Sequence, residues 1–274
     1  MTRFTANYTG DDPIASGELR LDIAAGVARL TIAREVDGNR LTPEILARLA
    51  VIARELADHD DVHVLVIGGA GSDFFSRGIF DPALRASFSK EDVLAIVRMA
   101  NRAYDAIEAL PQIVIAALNG ITRAGGAELA LAADIRLASS TARMQFPEAA
   151  WGGFPGAAGP VRLPALIGRA QALELMCTGE EIGAAEMLAL KLVNRVVQAA
   201  ALESEAMALA ARIAGNGPLA IRGAKRIVNA RLGAGFAQAR ELSDALRHAL
   251  EYTQDVDEAI SAHREQRKPR FKNR

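Results

Sequence analysis

Apolar positions alternate along Leu19-Arg-Leu-Asp-Ile and again along Val27-Ala-Arg-Leu-Thr-Ile, with Ala25-Gly26 between them. A two-residue period on either side of a glycine turn predicts a β-hairpin. The period then lengthens. Ile45, Leu46, Leu49, Ile52, Ala53 and Leu56 recur at helical spacing to about His59, and Thr42-Pro43 ahead of them supply a hydroxyl N-cap and a proline for the first helical position. The apolar run from Val62 to Ile67, closed by Gly68-Gly69, reads as a buried strand. A second cycle follows: a loop over 69–88, a helix capped by Ser89 that runs to Leu110 before Pro111, and a strand from Ile113 to Leu118. Gly125-Gly126 open a short helix from Ala127 to Ala133, and Ile135-Arg-Leu-Ala-Ser is a third strand. From about residue 160 the pattern is almost wholly helical, over 169–178, 182–190, 201–214, 217–232 and 235–251.

That order predicts an α/β core over 17–200 followed by an α-helical region over 201–274, with no Ser- or Pro-rich linker between them. Residues 1–16 are polar and expected to be loosely attached. A chain of 274 residues, half of them apolar, can bury one large core. The net charge of -1 argues against a nucleic-acid partner, and an aromatic content of 5% argues against a platform for stacking bases. Cys177 is the single cysteine, so no internal disulfide can form, and its apolar helical context suggests a small buried side chain. No uncharged run reaches the roughly 18 residues of a membrane span. With no apolar leader at the N-terminus, the expected location is the cytoplasm, and the Asn7-Tyr8-Thr9 sequon is read as chance. His59, His63, His248 and His263 have no metal-ligand spacing, so no metal is expected.

The candidate chemistry sits in loops that follow the buried strands. Gly125-Gly126 ahead of a helical stretch leave backbone N–H groups unpaired at a positive helix end, a place for an oxyanion or phosphate. Glu128 comes next, interrupting an apolar segment, where desolvation raises a carboxyl toward proton-transfer range; the alternative is an ordinary first-turn glutamate. Glu148 lies between Pro147 and a Gly/Pro-rich loop, and by itself reads equally as a solvated loop residue. Loops after parallel strands gather at one sheet edge, which would bring the two together. Neither a dinucleotide-binding nor a P-loop glycine pattern is present, and there is no G-x-S-x-G elbow.

Three stretches taken in order, Pro111-Gln-Ile-Val-Ile-Ala-Ala-Leu-Asn-Gly120, Ala124-Gly-Gly-Ala-Glu-Leu-Ala-Leu-Ala-Ala-Asp134-Ile-Arg136 and Ala142-Arg-Met-Gln-Phe-Pro-Glu148, closely resemble the central signature of the crotonase (enoyl-CoA hydratase/isomerase) superfamily. The likeness continues through Arg162-Leu163-Pro164, Gly168, Thr178-Gly179 and Leu192-Val-Asn-Arg-Val-Val197, and Phe75-Ser-Arg-Gly78 resembles the family's F-S-A-G loop. It implies a spiral of ββα turns with a C-terminal helical region used in trimerisation, often with trimers paired as hexamers. It also implies an acyl-CoA thioester substrate and no cofactor beyond the coenzyme A that the substrate carries.

Carried over by motif position, the oxyanion donors are the amides of Ile79 and Gly125, each worth ~3 kcal/mol in the transition state. The implied role of Glu128 is to activate water for attack at Cβ, and that of Glu148 is to exchange the proton at Cα. Substrate or CoA contacts are implied for Arg40, Ser76, Arg77, Gly126, Trp151 and Gly156. Having both glutamates favours hydration over Δ3-Δ2 isomerisation, hydrolysis or C–C cleavage, and also over a non-catalytic acyl-CoA- or RNA-binding relative. Gly156 stands where some dienoyl isomerases place an aspartate, which argues against that chemistry. The chain departs from the pattern at Arg123, at Ala124 in place of a glycine, in the loop 156–161, and at Gly78-Ile-Phe-Asp81, which displaces an aspartate. The basic cluster of Arg264, Arg267, Lys268, Arg270, Lys272 and Arg274 reads as a solvated tail or a contact for CoA phosphates.

Overall fold

The computed structural model describes residues 12–232, 236–267 and 269. Its strands are β1 (Leu19–Ala24), β2 (Val27–Ile32), β3 (Val64–Gly69), β4 (Phe74–Ser76), β5 (Ile113–Leu118), β6 (Ile121–Arg123), β7 (Ile135–Ser139), β8 (Arg143–Gln145), β9 (Glu181–Gly183) and β10 (Arg195–Val197). The helices are α1 (Pro43–Ala57), α2 (Pro82–Arg85), α3 (Lys90–Glu108), α4 (Gly125–Leu131), α5 (Gly159–Ile167), α6 (Arg169–Thr178) and α7 (Ala184–Ala189), then α8 (Leu202–Ala214), α9 (Pro218–Leu232), α10 (Phe236–Glu251) and α11 (Gln254–Arg264).

A six-stranded sheet runs β1-β2-β3-β5-β7-β10, antiparallel only in the β1–β2 hairpin. A second sheet runs β4-β6-β8-β9, with β9 antiparallel to β8. Each circuit of the chain visits the large sheet, then the small one, then a helix: β3-β4-α3, then β5-β6-α4. This is the ββα spiral that the resemblance implied.

The unbroken apolar run in β3 follows from burial on both faces. Leu65 and Ile67 enter the main core under α1 and α3, while Val64 and Val66 face the opposite way. There they meet Leu202, Ala206, Leu209 and Ala210 of α8. Strand β5 divides in the same manner, with Val114, Ala116 and Leu118 on one side and Ile115 and Ala117 on the other. The helix starts also hold. Thr42 Oγ1 accepts from the Ile45 amide at 3.4 Å and Ser89 Oγ from the Asp92 amide at 3.0 Å.

Several expectations need correction. Strands β4, β6, β8 and β9 have three residues each, too few to show a period, and fell in segments read as loop or helix. Strand β10 and helix α11 were also missed. Helix α4 begins at Gly125, so both glycines lie inside it. Cys177 is exposed: in α6 the inward face is Ala172, Leu175 and Met176, and residue 177 follows just past it. The expectations for residues 1–11 and for Lys268, Arg270, Lys272 and Arg274 lie outside the described residues. Among the described residues no helix is long and apolar enough to cross a membrane.

One buried amide ties the spiral together. Gln112 Nε2 donates to the carbonyls of Leu56 at 2.6 Å and Val62 at 3.3 Å, joining the end of α1 to the entries of β3 and β5. Lys225 of α9 then donates to the Gln112 carbonyl at 2.9 Å and to Asp134 at 2.7 Å. Gln112→Ala withdraws the donor from these buried carbonyls and is expected to lower unfolding free energy by about 1–3 kcal/mol, read from urea denaturation.

Candidate active site

The site begins with a tight loop after β4. Gly78 has φ +93°, a backbone state that side chains disfavour. Its amide donates to Ser76 Oγ at 3.0 Å, and its carbonyl accepts from the Leu41 amide at 3.0 Å. Arg40 holds the next residues from behind, donating to the Ile79 carbonyl at 3.1 Å and to Asp81 at 2.8 Å. Asp81 in turn caps α2 by accepting from the Leu84 amide at 2.9 Å.

Across a seam lies the start of α4. A Cβ built on Gly78 would sit 2.9 Å from the Gly125 nitrogen, and one on Gly125 would sit 3.4 Å from the Ile79 nitrogen and 2.8 Å from Ile79 Cγ1. Only glycines permit this approach, and it makes the amides of residues 79 and 125 neighbours. Among the described residues, neither amide donates to a backbone carbonyl outside its own element. The buried Tyr104 hydroxyl fixes the corner by donating to the Gly125 carbonyl at 2.9 Å. Gly126 comes next, packed against the Ser76 carbonyl.

Glu128 is buried two residues further along the helix. Its Oε1 accepts from the Gly159 amide at 2.8 Å, so the carboxyl lies at the N-terminus of α5. Burial raises its pKa, while the amides of Gly159 and Ala157 pull the other way. Arg162, also buried, steadies that turn: it donates to the Ala157 carbonyl at 3.2 Å and to Asp105 and Glu108 of α3. Glu148 follows β8 in a short 3-10 turn, half-buried, and its enclosed Oε2 has no hydrogen-bond partner among the described residues. Burial raises its pKa first, and the Glu128 charge raises it further. Both carboxyls are thus held above the usual carboxylate range, and the charge on Glu128 links their titrations.

Both glutamates line a cavity of about 90 Å³ together with Ile79, Gly125, Trp151 and Gly156, so six of the predicted site residues meet there. Arg40, Ser76, Arg77 and Gly126 do not line it. Arg40 is engaged with Asp37, Asp81 and the Ile79 carbonyl, so it fits a loop strut better than the CoA contact expected of it. Ser76 is buried behind the loop, bonded to the Gly78 amide. Arg77 keeps 38% of its side chain exposed, over the Phe74 ring and 3.6 Å from Asp37. Arg123 stacks on Trp151, with its guanidinium carbon 5.3 Å from the ring centre.

The sequence profile of the Enoyl-CoA hydratase/isomerase family matches residues 22–274. The chain belongs to this family. It is 33% identical to the crotonyl-CoA hydratase of Syntrophomonas wolfei, over 89% of this chain and 94% of the relative. It is 32% identical to the short-chain-enoyl-CoA hydratase of Clostridium acetobutylicum, over 90% and 95%. The crystal structure of an enoyl-CoA hydratase from Bacillus anthracis superimposes with a TM-score of 0.76 at 34% identity, covering 94% of this chain and all of that one.

Two cavity residues of this family member had no signal in the sequence. Arg85 of α2 and Arg247 of α10 enter the cavity wall and both pair with Glu251, which is fully buried. Arginines and a glutamate on surface-patterned helices look solvated one by one, and only the folding of α10 over the core brings them inside.

Ala124 adopts φ +51°, ψ −128°, a region that glycine alone adopts without penalty. Its strain is roughly 1–3 kcal/mol, and the added freedom of an unfolded glycine returns about 0.5–1 kcal/mol of that. Ala124→Gly is therefore expected to raise stability by about 1 kcal/mol, read as a higher thermal midpoint.

Proposed function

We propose that this protein is an enoyl-CoA hydratase that adds water syn across the double bond of a 2-enoyl-CoA thioester. The observation that carries the reading is the pair of raised-pKa carboxyls, Glu128 and Glu148, lining one cavity with the neighbouring amides of Ile79 and Gly125. The thioester carbonyl would accept from both amides, which draws electron density off Cβ and stabilises the enolate, each donor contributing ~3 kcal/mol. Glu128, with backbone donors supporting its charge, takes a proton from water as the oxygen bonds to Cβ. Glu148, protonated and with no partner on Oε2, gives its proton to Cα as the enolate collapses. A proton then returns from Glu128 to Glu148, and the site is reset. No metal or redox cofactor enters this scheme, and coenzyme A arrives as part of the substrate.

Arg77, with 38% of its side chain exposed two residues before Ile79, is proposed to meet CoA phosphates. Assembly as a homotrimer or hexamer through the helical region is proposed on the apolar face that α9 leaves exposed at Leu219, Ile227 and Val228. A cytoplasmic location accords with a single exposed cysteine.

The test follows loss of the enoyl absorbance of crotonyl-CoA. Glu148→Gln is expected to reduce Cα proton exchange by at least ~100-fold with thioester binding retained, and Glu128→Gln to suppress hydration more than exchange. Full hydration by either variant contradicts its role. The log of kcat/KM should be bell-shaped in pH. Below the lower step both carboxyls are protonated and no base remains, and above the upper step both are ionised and no acid remains.

A further inference from the structure

Two arginines enter the cavity wall that proton transfer at two carbons does not call for. Arg247 is 12% exposed and Arg85 11%, and both are ion-paired to the buried carboxylate of Glu251. Burial, followed by the like charge of Arg85, lowers the Arg247 pKa to about 10, so it stays cationic at neutral pH. Arg247 meets Glu251 Oε2 through Nη2 at 2.8 Å. Among the described residues, no hydrogen bond is made by its Nε or Nη1, and the residue lines the cavity. Its Cδ and Nε pack where a Cβ on Gly156 would fall, at 3.1 and 3.2 Å, so a larger residue at 156 would displace it. The remaining wall near it is apolar, from Val97, Phe154, Val256 and Ile260.

Arg85 and Arg247 are matched by Glu251 and by Glu128 and Glu148, and Asp81 adds a further carboxylate to the lining, so what sets this wall apart is where its two guanidiniums stand rather than a surplus of charge. An arginine with free N–H groups in an apolar wall is costly unless an anion completes it.

We propose that the acyl group of the substrate bears a carboxylate beyond Cβ, and that Arg247, steadied by Glu251 and Arg85, receives it. This rests on the reading of the cavity as an acyl-CoA site. The carboxylate would accept from Nε and Nη1 of Arg247 in the paired geometry that guanidinium favours. Glu251 keeps the guanidinium in place and prevents it from swinging onto Glu128 or Glu148. A plain alkyl chain would leave the same N–H groups desolvated and unpaired, which makes the site selective against it.

Calorimetry with the saturated thioesters glutaryl-CoA and butyryl-CoA, which differ by the terminal carboxylate, reads the inference without turnover. Glutaryl-CoA is expected to bind at least roughly tenfold more tightly. Arg247→Met should remove that difference and Arg247→Lys restore part of it. Equal or weaker binding of glutaryl-CoA by the wild-type protein, or a preference that survives in Arg247→Met, overturns the proposal. Hydration of glutaconyl-CoA and crotonyl-CoA is measured alongside. Selective binding of glutaryl-CoA with neither enoyl thioester hydrated would refute the hydratase reading while leaving the carboxylate site in place. An Arg247→Met defect of equal size on both enoyl thioesters would instead assign Arg247 to the glutamates and overturn the proposal.

Discussion

Two carboxyl groups that line one small cavity are both pushed toward the neutral form by burial, and the proposed chemistry depends on that constraint. Glu128 and Glu148 come from different circuits of the spiral, one from the helix after β6 and one from the turn after β8. The parallel pairing of β6 with β8 makes those two exits neighbours, and desolvation then couples their titrations. The asymmetry between them is also structural. Glu128 rests on the first amide of α5, which favours its ionised form, whereas Glu148 Oε2 has no hydrogen-bond partner among the described residues. In the proposed scheme this difference sets a base and an acid from one residue type.

Much of the scaffold serves to hold this pair opposite the two amides. Tyr104 fixes the Gly125 carbonyl, Arg162 fixes the turn that donates to Glu128, and Arg40 fixes the loop that carries Ile79. None of the three touches the reacting carbons in the proposed scheme. Each is a buried polar group whose partners lie on separate elements, so each converts tertiary packing into local geometry. Ala124 shows the cost of that geometry, since the turn into α4 demands a glycine-like conformation from a residue with a Cβ.

The parts legible in the sequence are those whose signal is local. The hairpin, the capped starts of α1 and α3 and the strand at 113–118 all declare themselves within a dozen residues, and the structure bears them out. The glycine turns and both glutamates were legible because family resemblance preserves order and spacing there. Strands β4, β6 and β8 were not, because three residues cannot establish a period and their pairing is wholly non-local. Arg247 was not, because Arg85 of α2, Val97 of α3 and Gly156, which enclose it with its helical neighbour Glu251, are far from it in sequence. For Arg40 the resemblance implied a CoA contact, and its three internal partners, two of them about forty residues away, were not legible in the sequence.

The shared proton is the claim on which acid, base and charge balance all rest. Infrared difference spectroscopy across neutral pH reads it directly, through the carbonyl stretch that only a protonated carboxyl group displays. A protonated-carboxyl band that persists at neutral pH and disappears in Glu148→Gln is the predicted result. If that band is lost well into the acid range, as for an exposed glutamate, the two carboxyls are independently ionised and the account is wrong.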